Sequence, residues 1–367
     1  MNASSSTPQL IEAVPNFSEG RNPVIIQQIA DAMAYDAHGR LREGMRVLHI
    51  DSGYAAHRTV ITLAGRPEVI SEALFQGIRM ATALIDMRQH QGVHPRIGAT
   101  DVCPLIPLQG ISMSETVDLA RKLAQRVAAE LQIPVYLYEA ARLREARKRL
   151  ASIRKGEFEG LAKKMRASEW EPDYGPSTPH PTAGAVVIGA RPFLIAFNVH
   201  LDTRDVQVAQ SIASAIRESQ LPSGLKGLRA IGWYVEEYGL AQVSMNITNV
   251  VQTPLHLAFE AVKREAADRG VSVKGSEIIG LVPLACMLAA GAHYAKQTNP
   301  QAQAASTDIA LIQLAIAQMG LNHVQAFDPR QKILEYVLQQ YPDVFPLSQI
   351  PLPLVEHPDT GIYLPNA

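Results

Sequence analysis

Apolar positions along the chain alternate between two spacings, and the switches mark its elements. Leu10 to Val14 (LIEAV) is a short apolar run closed by Pro15 and predicts a strand; Asn16 to Gly20 (NFSEG) then reads as a turn. Asn22 and Pro23 suit a helix start, because asparagine caps exposed N–H groups and proline has none to lose there. Ile25, Ile29 and Met33 line one face of that helix. Met45 to Ile50 and the roughly alternating His57 to Ala64 predict two strands, Pro67 opens a helix to about Met87, and the strand Val102 to Pro107 follows. The order is β-α-β-β-α-β. Ser112 and Glu115 form a capping box for a helix through Leu131. Pro134 to Tyr138 predicts a strand, and Glu139 to about Arg166 two helical pieces broken near Gly156.

Trp170 to Gly184 is rich in proline and glycine, predicts no regular element and suits a domain junction. Beyond it, Ala185 to Ile188 opens the second half. Leu194 to Val199, a helix from Asp205 to Glu218, Leu228 to Val235, Ala241 to Ile247, a helix from Thr253-Pro254 and Glu277 to Pro283 repeat the same order. The repetition predicts an α+β chain of two ferredoxin-like subdomains, residues 10–183 and 184–325, with a ligand cleft or tunnel between them. Helices are expected over Leu284 to Tyr294, Ser306 to Met319 and Pro329 to Leu338. Residues 326–367 read as that last helix and an extended, proline-rich tail.

Composition narrows the function without naming it. The 367 residues are 47% hydrophobic with a formal net charge of -1, so no electrostatic footprint for nucleic acid is present. No apolar stretch reaches the roughly 20 residues of a spanning helix, and the start (MNASSSTPQL) does not read as a signal peptide, so a cytoplasmic protein is expected. Cys103 and Cys286 have no metal-type spacing.

The densest chemistry lies at His90 to Asp101 (HQGVHPRIGATD). Gly92 and Gly98 allow backbone angles other residues avoid, and Pro95 pushes His94 out of the helical region. Two readings fit: a polar surface loop, or a loop presenting His94 for proton transfer. A metal site is not expected, because Gly92 and Pro95 oppose the helix that would align His90 with His94 and no H-E-x-x-H pattern follows. No G-x-S-x-G elbow and no phosphate-cradling glycine loop occurs. General acid–base chemistry remains, for which a histidine of ordinary pKa about 6.5 is suited. Asp51, His57, Arg58, Arg96 and Asp101 sit at strand ends that can converge on it. Arg58 or Arg96 suits a substrate carboxylate, and Asp51 an orienting or charge-stabilising role; ion pairing and strand capping are the plainer alternatives. The junction around Gly175, Ser177, Thr178 and Gly184 suits either a flat-ringed ligand or a simple linker.

Seven stretches in order resemble the formiminotransferase family: VPNFSEGRN (Val14 to Asn22), DSGYAAHRTVITLAG (Asp51 to Gly65), DMRQHQGVHPRIGATDVCPLIP (Asp86 to Pro107), VYLYEAA (Val135 to Ala141), HPTAGAVVIGARPFLIAFNV (His180 to Val199), IGWYVEEYGLAQVSMN (Ile231 to Asn246) and IIGLVPL (Ile278 to Leu284). The resemblance runs from about Leu10 to about Leu321. It implies transfer of a formimino group from N-formiminoglutamate to tetrahydrofolate as co-substrate, without a metal, by a homodimer that holds folate between its two subdomains. It places the catalytic histidine on His94, and folate binding on Gly175, Pro176, Ser177, Thr178, Pro179, His180, Pro181, Thr182, Ala183 and Gly184. The chain departs from the family at His200, where asparagine is expected, and in the middle of Gly175 to Gly184. The cyclodeaminase that accompanies this activity in mammals is expected on a separate protein, if present. Use of N-formylglutamate, cyclisation of 5-formyltetrahydrofolate and folate binding without catalysis are the alternatives.

Overall fold

The computed structural model describes residues 8–220, 222–298, 307–345, 354–356 and 363–365. The chain is mixed α+β. It divides into two compact units between Pro192 and Phe193, and again between Gln340 and Tyr341.

The first unit contains β1 (Leu10–Ala13), β2 (Asn16–Phe17), α1 (Pro23–Ala34), β3 (Met45–Gly53), β4 (Arg58–Gly65), α2 (Pro67–Leu84), β5 (Thr100–Gln109), α3 (Met113–Leu131), β6 (Val135–Glu139), α4 (Leu150–Arg154), α5 (Glu157–Lys164) and β7 (Val186–Ala190). NFSEG is therefore not a plain turn. Asn16 and Phe17 continue the line of β1 after a break at Val14–Pro15 and pair antiparallel with both β4 and β5. The sheet runs β3, β4, the β1/β2 line, β5, β7, β6. Asn22 caps α1 through its side chain, and the Ser112–Glu115 capping box closes as its sequence spacing requires.

One sheet face packs on α1, α2 and α3, where Ile29, Met33, Ile70 and Leu123 meet Ile11, Ile61, Leu63 and Leu105. The other face carries a smaller core: Val102, Tyr136 and Val187 under Ile153, Leu161 and Met165. That core seats the short helix α4 against the sheet and so fixes Arg154, the residue after Ile153. Buried Arg147 pairs with Asp173 and donates to the carbonyls of Glu169 and Glu171, pinning the start of the proline-rich junction to the sheet.

The division expected after residue 183 falls instead after Pro192. Strand β7 does not open the second unit; it hydrogen-bonds between β5 and β6, parallel to both. A short apolar run such as AVVI reports burial on both faces but not which sheet buries it.

The second unit contains β8 (Ile195–Leu201), α6 (Val206–Ile216), β9 (Leu228–Val235), β10 (Leu240–Ile247), α7 (Leu255–Ala267), β11 (Val273–Ile279), α8 (Leu284–Thr298), α9 (Asp308–Gln318), α10 (Pro329–Lys332) and α11 (Leu334–Leu338). Its sheet is antiparallel in the order β11, β8, β10, β9. Residues 326–340 are no separate tail segment. They belong to this unit, where buried Glu335 accepts a hydrogen bond from the Leu284 N–H at the start of α8 (2.7 Å). Tyr341 to Phe345 belong with the first unit, where Asp343 pairs with Arg46. Beyond them, Leu354–Glu356 (β12) and Tyr363–Pro365 (β13) pair antiparallel. The rest of the expected tail lies outside the described residues.

Candidate active site

The histidine loop begins after α2 and is held by its own polar groups. His90 is buried; its Nε2 lies 2.8 Å from the His57 carbonyl, and its Nδ1 accepts from Arg96 Nε at 3.1 Å. The arginine can only donate, so the proton sits on Nε2 and the ring is a neutral, fixed tautomer. Burial pushes its pKa down to about 4, in agreement. His57 stacks on this ring at 4.3 Å, with its nitrogens against the Gln91 carbonyl and the Glu19 carboxylate. With both nitrogens engaged, His90 supports the loop and has no lone pair for a metal.

Arg96 is also turned inward. Nε meets His90, Nη1 meets Glu157 and Glu159, and Nη2 meets Glu159 and the His90 carbonyl. All three nitrogens of the fork are engaged by the protein, so Arg96 clamps the loop onto α5.

His94 lies beside a different cluster. Its Nδ1 is 2.8 Å from the Pro95 carbonyl and 3.1 Å from Arg58 Nη1. A carbonyl only accepts and a guanidinium only donates, so Nδ1 serves one of them at a time. The shorter contact assigns the proton to Nδ1 and the lone pair to Nε2. Arg58 also binds Asn16 Oδ1 through Nε and Nη2 (2.9 and 2.5 Å) and Asp101 Oδ2 through Nη1 (2.6 Å). Asp101, fully buried, accepts further bonds from Arg154 Nε (3.3 Å), Arg154 Nη2 (2.5 Å) and the Ile97 N–H (3.0 Å).

The charges act in a definite direction. Burial pushes the Asp101 carboxyl up, but Arg154 and Arg58 overcome it and hold the group well below the usual carboxylate range. Burial first, then the same two guanidinium groups, push His94 well below 6.5, against weaker opposition from Asp101 and the Pro95 carbonyl. His94 is therefore neutral at pH 7, the form in which an imidazole acts as a base.

The junction docks on this loop. Met87 N–H donates to the Thr182 carbonyl (2.8 Å), Ala99 N–H to the Ala183 carbonyl (2.9 Å), and Gly98 bridges Gly184. Gly98 does not take the positive φ its sequence suggests; its need is close approach, since a Cβ there would stand 2.0 Å from the Ala185 carbonyl. Gly184 needs both freedoms: its φ is +70°, and a Cβ would lie 2.3 Å from the Ile97 carbonyl. Ser177 and Thr178 are exposed, while His180 turns inward, its Nδ1 accepting from the Ala183 N–H (3.0 Å).

Of the residues singled out from sequence, His94, Arg58 and Asp101 come together. Asp51 stands on β3 opposite Val60, and Arg96 faces α5. Asn16, Glu19 and Arg154 were missed. Asn16 and Glu19 looked like turn formers, though a polar stretch between an apolar run and a helix cap was visible. Arg154 sat in a charged run that reads as a solvated helix face. In the second unit, buried His200 bonds with Gln242 (2.7 Å) on the sheet face that also carries Asn198 and Glu277.

The chain is thus built of two α+β units, the first of which holds a neutral histidine beside a buried arginine–aspartate cluster. Comparison with known families gives the class a name: residues 10–191 match the formiminotransferase domain, N-terminal subdomain, and residues 196–339 the formiminotransferase domain, and the chain belongs to this family. It is 43% identical over 334 residues to formimidoyltransferase-cyclodeaminase of Rattus norvegicus, covering 90% of this chain and 60% of that one. Identity to the Dictyostelium discoideum protein of the same name is 41% over 336 residues, covering 90% and 61%. It is 42% identical over 286 residues to glutamate formimidoyltransferase of Streptococcus pyogenes serotype M1, covering 78% and 93%. The chain spans about three-fifths of the length of the formimidoyltransferase-cyclodeaminases it matches.

Proposed function

We propose that the chain is a glutamate formimidoyltransferase, moving the formimino group of N-formiminoglutamate to tetrahydrofolate and releasing glutamate. The observation that carries the mechanism is the neutral His94 ring, held at Nδ1 by the Pro95 carbonyl beside Arg58. His94 accepts the proton released as the acceptor's secondary amine bonds to the formimino carbon. It returns that proton to the glutamate nitrogen as the carbon–nitrogen bond breaks. Holding both substrates together supplies much of the remaining acceleration.

Supporting roles follow from position. Arg58 keeps His94 neutral and Arg96 holds the loop; for Asp51 an orienting or charge-stabilising role rests on the sequence alone. The stretch Gly175 to Gly184 receives the folate; its exposed Ser177 and Thr178 and its hydrogen bonds to the histidine loop support that reading. The strand orders β3-β4-β1/β2-β5 and β11-β8-β10-β9 support reading each unit as ferredoxin-like, the first extended by β7 and β6. The proposal includes a homodimer, on the resemblance of the motifs alone, and a cytoplasmic location, on the sequence reading.

The test is incubation of the purified protein with tetrahydrofolate and N-formiminoglutamate, following 5-formiminotetrahydrofolate. Turnover is expected; none from well-folded protein overturns the proposal.

A further inference from the structure

The cluster beside His94 is unbalanced in charge. Arg58 and Arg154 share a single carboxylate, Asp101, which leaves one positive charge in excess against a neutral histidine. Glu157 and Glu159, the acidic residues next along the chain from Arg154, are taken by Arg96. Tyr138, buried nearby, is kept uncharged because burial raises its phenol to about 12. Arg58 is committed to Asn16 and Asp101.

Arg154 is committed on one edge only. Nε and Nη2 grip the two oxygens of Asp101, while Nη1 has no partner among the described residues and is not among their buried, unbonded polar atoms. The side chain is 12% exposed. An arginine held rigidly by a buried carboxylate, with its other edge presented outward, is preorganised to receive a planar anion. Arg154 and Arg58 share Asp101, and Arg58 Nη1 stands 3.1 Å from His94 Nδ1, so the outward edge belongs to the same cluster as the proton-transfer group.

We propose that the outward edge of Arg154 receives a carboxylate of the amino-acid donor, making Arg154 a donor-binding and specificity residue. This rests on the formimino-transfer reading, which supplies a dicarboxylate donor. The same contact explains why two arginines surround one aspartate: the substrate completes the charge balance.

The test compares three donors: N-formiminoglutamate and its two monoamides, in which one carboxylate or the other is a neutral carboxamide. The wild-type protein is expected to prefer the dicarboxylate over one monoamide by about 10- to 100-fold in kcat/KM, the range of charge-assisted hydrogen bonds. Arg154→Lys keeps a positive charge against Asp101 but has no second N–H edge. It is expected to reduce that one preference about tenfold or more, leaving the preference over the other monoamide and the affinity for tetrahydrofolate unchanged. A uniform loss on all three donors would mean that Arg154 only holds Asp101, and it would overturn the inference, as would no change. If Arg154→Lys fails to fold by circular dichroism, Arg154→Gln, which retains a donor for Asp101, replaces it with the same expectations. If the wild-type protein turns over none of the donors, the transfer reading has failed separately. Calorimetric titration with glutamate then decides: weaker binding by the variant supports the carboxylate site, and equal binding overturns it.

Discussion

At the scale of residues, His94 is defined by what surrounds it more than by being a histidine. The chain contains 11 histidines, and several of those described are packed and bonded: His90 has both nitrogens engaged, and His200 is sealed against Gln242. The His94 ring is neutralised by burial and by two arginines, Arg58 and Arg154. A neutral base loses activity as pH falls through its pKa, so the acid limb of the kcat/KM profile is expected below pH 6.5. A positive neighbour disfavours the imidazolium; deleting one raises the pKa. Arg58→Met is therefore expected to move the acid limb upward in the pH–rate profile, whatever it does to the rate. A limb that stays fixed or moves downward would mean that Arg58 does not set the ionisation of His94.

At the scale of elements, local signals were legible where side chain and backbone meet within a few residues. Asn22 and Ser112–Glu115 cap as their spacing requires, and Leu228–Val235 is the strand the alternation marks. What was illegible depends on distant partners. Strand β7 pairs with β5 and β6, far away in sequence, and nothing within AVVI states that. Arg154 reaches Asp101 only because Ile153 packs under the sheet and brings the guanidinium there.

The seam between the junction and the histidine loop is the element contact most exposed to a single change. Gly184→Ala would add a Cβ at φ +70° and 2.3 Å from the Ile97 carbonyl. It is expected to cost about 2 kcal/mol or more in urea unfolding and to weaken folate binding. A loss under about 0.5 kcal/mol, the range of a neutral surface change, would show that the seam yields easily.

In the second unit, the contact of α11 with α8 rests on Glu335, which burial raises from 4.5 to about 7. A carboxyl raised on folding stabilises fully below its unfolded value and loses that contribution as pH climbs through the folded one. The loss is about 3 kcal/mol between pH 4.5 and pH 7. Glu335→Gln keeps an acceptor for the Leu284 N–H, so its unfolding free energy is expected to vary less over this range. A variant with the same pH slope in urea melts as the wild type would exclude Glu335 as the cause.

At the scale of the molecule, the class was legible because the motifs occur in order along most of the chain, not because any one is diagnostic. The repeated element order carried both units, while the boundary between them shifted to Pro192. Charge and fold alone led to proton transfer and no further; the family supplies formimino transfer. The two meet at His94, and its replacement tests the account most directly. With tetrahydrofolate and N-formiminoglutamate, His94→Ala is expected to lower kcat about 10²- to 10⁴-fold, the usual contribution of a general acid–base, while tetrahydrofolate affinity stays within about threefold, under 1 kcal/mol. Turnover by a folded His94→Ala protein at the wild-type rate would contradict the account.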